Sequence, residues 1–363
     1  MPSSSILLPH HQSPHHLVSN HFFYFLASMT DPSSTACLSL PSQASRLSPH
    51  HYLHLRQKSA PIHRILFIGM GGSGLASKLL IDAFGDRIFV PRARCHDYHI
   101  PDRVNAYTLV IACSYSGNSD ETLTAVHEAH DRHAHCICIT SGGSLNERAT
   151  TYHHDLITLP SGSTARRALG RSFVAHASCL IHYGLADITH EESTARGSFL
   201  EKHHDIISQQ AHIITQTIAS RTPVIYTPST MESLGIRARQ QLNENSKILC
   251  RHHHYPDANH NELMGWTAGG DHYAAIIIND PFNDSRNHIR MTIMDQWIRD
   301  QGGYSCRLTL HGTTRCERLR WGIWMWDRTS LFLAHAHNRD PLSMTGVEHF
   351  KRRLNDFVNK KDE

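Results

Sequence analysis

The 363-residue sequence has no apolar run approaching the roughly 18 residues of a spanning helix, which argues against a helical membrane protein. It has no basic stripe either. Its 35 Lys+Arg stand against 32 Asp+Glu, a balance of +3 with neutral histidine. That is too weak and too scattered for a binder of phosphate backbones or acidic membranes, so neither nucleic acid nor membrane is expected as a partner. The nine cysteines include no CxxC pair, and Cys113, Cys136, Cys138 and Cys250 sit in apolar runs. This reads as reduced, buried thiols in a cytoplasmic protein. No HExxH or paired Cys/His spacing occurs, so no metal and no cofactor are expected. What is abundant is histidine, 33 residues against 32 acids. His252-His253-His254, His153-His154 and His203-His204 are adjacent runs. Neighbours on a strand point to opposite faces, so a run need not converge on one ion.

The chain length suggests about two domains. Residues 1–58 stand apart, rich in Ser, Pro and His (PHHQSPHH, SLPSQASRLSPHH) without sustained periodicity. A disordered extension is expected there, with Met29 an alternative start. The run Phe22 to Ala27 has no basic flank and is shorter than a signal-peptide core, so secretion is not expected. From Arg64 the pattern alternates. Strands are expected at Ile65–Met70, Ile88–Val90, Leu109–Cys113, Cys136–Thr140 and Leu156–Leu159, with helices at Gly74–Phe84 and Asp120–His130. Runs such as LVIAC and CICIT are continuously apolar, as parallel strands covered on both faces are. A helical connector (166–220) follows. The alternation then resumes, with strands at Pro223–Tyr226, Ile248–Arg251, Ala274–Ile278 and Cys306–Leu310. Helices are expected at Met231–Asn245, Asn287–Gln301, Arg320–His335 and Val347–Asn359. The expected organisation is α/β, two tandem doubly wound parallel-sheet domains (59–165 and 221–319) with flanking helices, closed by C-terminal helices (320–363).

Two turns carry chemistry. Gly69-Met70-Gly71-Gly72-Ser73-Gly74 follows a strand and opens a helix. Glycines there allow positive φ and close approach of a ligand, and the helix N-terminus favours an anion. Ser114-Tyr115-Ser116-Gly117-Asn118-Ser119 does the same with three hydroxyls around a glycine, which suits a phosphate; ordinary serine N-capping is the plainer reading. No Walker lysine follows either turn, so a nucleoside triphosphate is not expected.

These blocks resemble the SIS (sugar isomerase) domain. With ITSGG (139–143), Pro160–Phe173 and QLNENSK…NHNELMGW (241–266), the chain is more closely similar to the bifunctional phosphoglucose/phosphomannose isomerase family. The resemblance spans roughly residues 60–355. It implies aldose–ketose isomerisation of glucose 6-phosphate, and of mannose 6-phosphate, with fructose 6-phosphate through a cis-enediolate. In Asn243-Glu244-Asn245, Glu244 matches the family base. In Asn259-His260-Asn261-Glu262, His260 matches the ring-opening histidine, contributed across a homodimer interface. Arg166 matches the cation that steadies the enediolate, with Arg167 the fallback, and Lys351 matches a lysine near the sugar ring. Gly71, Gly72, Ser73, Ser114, Ser116 and Ser119 fall on phosphate positions.

Departures bear on specificity. Ser119 stands where threonine is usual, and Asp257 where glutamate is. Met344, or its neighbour Ser343 or Thr345, lies where a small hydroxyl residue would leave room for both C2 epimers, so a bulky Met344 narrows the mannose branch. Two rival readings are a non-catalytic phosphosugar sensor, which would not need Glu244, Arg166 and His260 together, and a metal-dependent enzyme. Activity is expected to fall as pH drops through the ordinary histidine pKa of about 6.5.

Overall fold

The computed structural model describes residues 55–56, 61–194, 198–268 and 270–359; apart from 55–56, the N-terminal extension lies outside them. The chain runs β1 (Arg64–Ile68), α1 (Gly71–Phe84), β2 (Arg92–Cys95), β3 (Thr108–Cys113), α2 (Asp120–Asp131), β4 (His135–Thr140), α3 (Gly143–Thr151) and β5 (Asp155–Thr158). These strands form one parallel sheet in the order β2-β1-β3-β4-β5. Every residue of β3 is buried, as a central parallel strand requires. The order reverses direction between β1 and β3, and the carboxyl ends at such a switch point are where open α/β sheets bind ligands.

Four helices follow: α4 (Leu169–His182), α5 (His190–Thr194), α6 (Ser198–Lys202) and α7 (His204–Ile218). The second half comprises β6 (Thr222–Pro228), α8 (Glu232–Gln241), β7 (Arg251–Tyr255), β8 (Tyr273–Asn279), α9 (Ser285–Asp300) and β9 (Tyr304–Thr309). It too is a parallel sheet, ordered β7-β6-β8-β9. Two long segments close the chain, α10 (Arg315–Ala336) and α11 (Thr345–Asn359). The capping box of Thr314 and Glu317 starts α10. This helix is buried almost all round, charged residues such as Arg320 and Asp327 included, and packs against α1, α7 and α8. Trp321 and Trp326 have no exposure at all. The two halves are also pinned directly. Buried Asp82 of α1 accepts from the Ser233 backbone N–H at 2.7 Å. Lys78 reaches Asp82 at 2.8 Å and Glu232 at 3.0 Å.

Two strands differ from expectation, both at sheet edges. The expected strand Ile88–Val90 is instead a loop in which Ile88 bridges Ala186 and Phe89 is exposed; the strand is Arg92–Cys95. Likewise Ile248–Arg251 gives way to Arg251–Tyr255, and Leu249 is 85% exposed. An edge strand has one neighbour and a wetter face, so RARC and RHHHY can pair without an apolar run. Among the described cysteines all but Cys306 are buried, and none is bridged. Burial pushes the Cys113 and Cys138 thiols up to about 12, which makes them unreactive.

Much of the histidine excess is structural. His130 stacks on Tyr152 with ring centroids 4.0 Å apart, His212 on Phe332 at 4.1 Å and His63 on Tyr107 at 4.9 Å. These imidazoles serve as small aromatic rings. His176 in α4 is fully buried, its Nδ1 2.6 Å from the Ser172 carbonyl and its Nε2 without a partner. Burial pushes it down to about 4. Unfolded, it takes a proton below about 6.5. Between these values the unfolded chain binds more protons, so stability falls as pH falls. The loss from His176 alone is about 2 kcal/mol at pH 5. His154 and His252, also held to about 4 chiefly by burial, act with the same sign. Urea midpoints at pH 7 and pH 5 are expected to differ less in His176→Gln than in the parent. An unchanged difference would rule His176 out as the source.

Candidate active site

The glycine-rich turn and the serine-rich turn sit at the ends of β1 and β3, the switch point of the first sheet. Neither α1 nor α2 has a side-chain N-cap. The capping alternative for the serines therefore fails. Their helices present free N–H groups and positive dipole ends, the elements of an anion site. The turns are locked to each other. Ser73 Oγ accepts from the Tyr115 N–H at 3.1 Å, and Ser114 Oγ donates to Ser119 Oγ at 3.1 Å. Ser116 stays exposed, accepting from the Asn118 N–H at 3.3 Å. Gly117 has φ +74°, and any Cβ there would collide with the Gly142 carbonyl oxygen. The serine turn thereby packs on the ITSGG turn. Tyr115 fastens the next segment: its hydroxyl donates to Pro160 O at 2.8 Å and accepts from the Ser163 N–H at 3.0 Å.

That segment delivers Arg166 to the first turn. A Cβ on Gly72 would lie 3.1 Å from the Arg166 backbone nitrogen, tighter than ordinary contact, so glycine favours this close approach of the two backbones. Arg166 is 5% exposed. Its Nη1 donates to Glu244 Oε2 at 3.1 Å and to Met344 Sδ at 3.1 Å, and its Nη2 to Pro341 O at 2.8 Å. Arg166, and not Arg167, makes the ion pair with Glu244. Glu244 lies on a π-helical turn, Leu242–Ser246, that interrupts the helix expected over Met231–Asn245. Such turns often occur where a side chain must be re-aimed. The turn is anchored to α10, with Asn245 Nδ2 donating to Ser330 Oγ at 2.9 Å and Ser246 Oγ to Ser330 O at 2.7 Å.

Four supporting residues, Arg237, Asp327, Gln241 and Lys247, were not assigned a role from the sequence. Arg237 is fully buried and grips Asp327 with two bonds of 2.7 and 2.8 Å. Its third arm donates to the Arg166 carbonyl at 2.9 Å. Gln241 donates to the same carboxylate at 2.8 Å. Arg237 and Asp327 are 90 residues apart, and no local pattern could pair them. Lys247, in the left-handed region at φ 60°, bonds the Glu244 carbonyl and reaches Ser343 O at 3.0 Å. It ties the strap before α11 to the Glu244 turn. Burial, then the Arg166 cation, holds its amine below the ordinary lysine range.

His260 and Lys351 are not brought to this cluster by hydrogen bond or ion pair among the described residues. His260 is the exposed last residue of a one-turn helix, Asp257–His260, and Lys351 lies on the exposed α11. Part of the histidine run lies close to a carboxylate. One ring nitrogen each of His253 and His254 and a carboxylate oxygen of Asp257 lie within 4.8 Å of one another. All three lie at or just beyond the end of β7, an edge strand of the second sheet. Among the described residues, no helix is long and apolar enough to cross a membrane.

Residues 60–175 match the SIS domain, and residues 207–354 match the bacterial phospho-glucose isomerase C-terminal SIS domain. The chain is 31% identical over 309 residues to the bifunctional phosphoglucose/phosphomannose isomerase of Caldicellulosiruptor bescii, covering 82% of this chain and 91% of that one. It is 31% identical over 301 residues, with the same coverage, to the enzyme of that name from Thermoplasma acidophilum. In fold it is similar to a glucose-6-phosphate isomerase from Chlamydia trachomatis, with a TM-score of 0.66 at 14% identity over 88% of this chain and 74% of the other. With both sheets, both turns and the Glu244 segment inside these matches, the chain belongs to the bifunctional phosphoglucose/phosphomannose isomerase family.

Proposed function

We propose that this protein interconverts glucose 6-phosphate, and mannose 6-phosphate, with fructose 6-phosphate by proton transfer through a cis-enediolate. The observation that carries this reading is the placement of Arg166. It lies against Gly72 of one phosphate turn while its guanidinium pairs with Glu244 at 3.1 Å. In this reading Gly71, Gly72, Ser73, Ser114, Ser116 and Ser119 hold the phosphate through backbone N–H groups and hydroxyls. Glu244 moves the proton between C1 and C2. Arg166 stabilises charge that develops on the enediolate oxygen. His260 opens the sugar ring from a second copy of the chain, and Lys351 contacts the ring. Two features favour a homodimer: His260 is exposed and makes no hydrogen bond or ion pair among the described residues, and Val347, Phe350, Leu354 and Phe357 form an exposed apolar row on α11. The Met344 thioether against Arg166 narrows the space beside the base and favours the glucose branch. The free cysteines among the described residues favour a reducing, cytoplasmic setting for this enzyme of hexose phosphate metabolism.

A coupled assay on purified protein with the three hexose 6-phosphates tests this. Turnover is expected with glucose and fructose 6-phosphates and slower turnover with mannose 6-phosphate. A well-folded dimer inactive on all three would favour a phosphosugar sensor. Gly117→Ala tests the phosphate turn separately. The strained φ and the collision with Gly142 are expected to cost about 1–3 kcal/mol, and KM for fructose 6-phosphate should rise more than kcat falls. A wild-type KM would remove the serine turn from phosphate binding.

A further inference from the structure

The edge of the second sheet carries a cluster that the isomerase reading does not use. His253 Nε2 lies 3.3 Å from Asp257 Oδ2. That separation is already the edge of a tetrahedron around an ion with bonds of roughly 2.0 Å. A nitrogen of His254 lies within 4.8 Å of both groups, so closing the set takes a side-chain rotation and no backbone movement. Asp257 is exposed and free to make it. The His253 ring is backed by a carboxylate at hydrogen-bond distance, and a second carboxylate stands near the His254 ring. His253 Nδ1 is 3.1 Å from Glu262 Oε1, and His254 Nδ1 is 4.0 Å from Glu232 Oε1. A carboxylate behind an imidazole fixes its tautomer and raises its basicity, the usual outer support of a metal-bound histidine. These carboxylates are themselves held, Glu262 by Arg251 at 3.1 Å and Glu232 by Lys78 at 3.0 Å.

We propose that His253, His254 and Asp257 bind one divalent transition-metal ion of the zinc and cobalt class. Two imidazoles and one carboxylate suit such ions better than magnesium or calcium, which prefer all-oxygen shells. Three protein ligands leave a fourth position for water. A bound ion fastens the turn Asp257–His260 to β7, and so sets where His260 points. The site does not depend on the isomerase reading, because its test reads the metal directly.

The test titrates metal-free, untagged full-length protein with cobalt(II) chloride and follows the visible absorption of four-coordinate cobalt. The parent should develop that band at one equivalent, and zinc(II) should displace it. Asp257→Asn, at an exposed position, and His254→Gln should each abolish it, with thermal melting confirming the fold. Glu262→Gln should keep the band but weaken binding about 10–100-fold. Replacing His10, His11, His15 and His16 by alanine should leave it unchanged. No band in the parent, a band that survives Asp257→Asn and His254→Gln, or a band lost with the N-terminal histidines would overturn the proposal.

Discussion

Glu244→Gln is expected to lower turnover of fructose 6-phosphate about 10²–10⁴-fold while leaving the fold in place. Glutamine keeps the shape of the side chain, and its carbonyl oxygen can still accept from Arg166 Nη1, which now sits 3.1 Å from the carboxylate. The anchors of the π-helical turn, Asn245 and Ser246 on Ser330, are untouched. What disappears is the capacity to take a proton from carbon. Exchange of the C1 and C2 hydrogens with solvent should therefore stop in parallel with isomerisation. A variant that melts like the parent and isomerises at a similar rate would dismiss Glu244 as the base. A variant that binds substrate weakly but retains kcat would make it a binding residue only.

The largest effect on stability is expected at Arg237. Arg237→Met leaves the Asp327 carboxylate in the core without the guanidinium that holds it by two bonds of 2.7 and 2.8 Å. Removing one partner of such a buried pair typically costs about 3–5 kcal/mol, whereas replacing both by apolar residues is close to neutral. The double variant Arg237→Met/Asp327→Leu should thus recover most of the lost urea resistance. It should not recover activity, because the Arg166 carbonyl still lacks the donor that Arg237 supplied at 2.9 Å. That split between stability and turnover separates positioning of Arg166 from mere support of the core. If the double variant regained both, Arg237 would be structural alone.

The central strands were legible because burial on both faces favours unbroken apolar runs, as in Leu109–Cys113 of β3. The edge strands Arg92–Cys95 and Arg251–Tyr255 were not, since one open side relaxes that demand. The two turns were visible as strand, glycine or serine, then helix. Whether their serines capped the helices could not be read, because that depends on rotamers set by the neighbouring turn. The break of α8 into a π-helical turn had no sequence mark, since Leu242–Ser246 reads as ordinary helix.

The sequence by itself determined the α/β alternation, the positions of the turns and, through ordered motifs, the candidacy of Glu244, Arg166, His260 and Lys351. These are local properties, written in runs of neighbouring residues. Tertiary structure decided which of them meet. It brought Arg166 and Glu244, 78 residues apart, into one ion pair. It left His260 and Lys351 exposed and outside the pair's hydrogen bonds. It also brought a ring nitrogen of each of two adjacent histidines within 4.8 Å of one carboxylate. Contacts between distant segments follow from how helices and sheet edges pack, and no spacing within one segment encodes that.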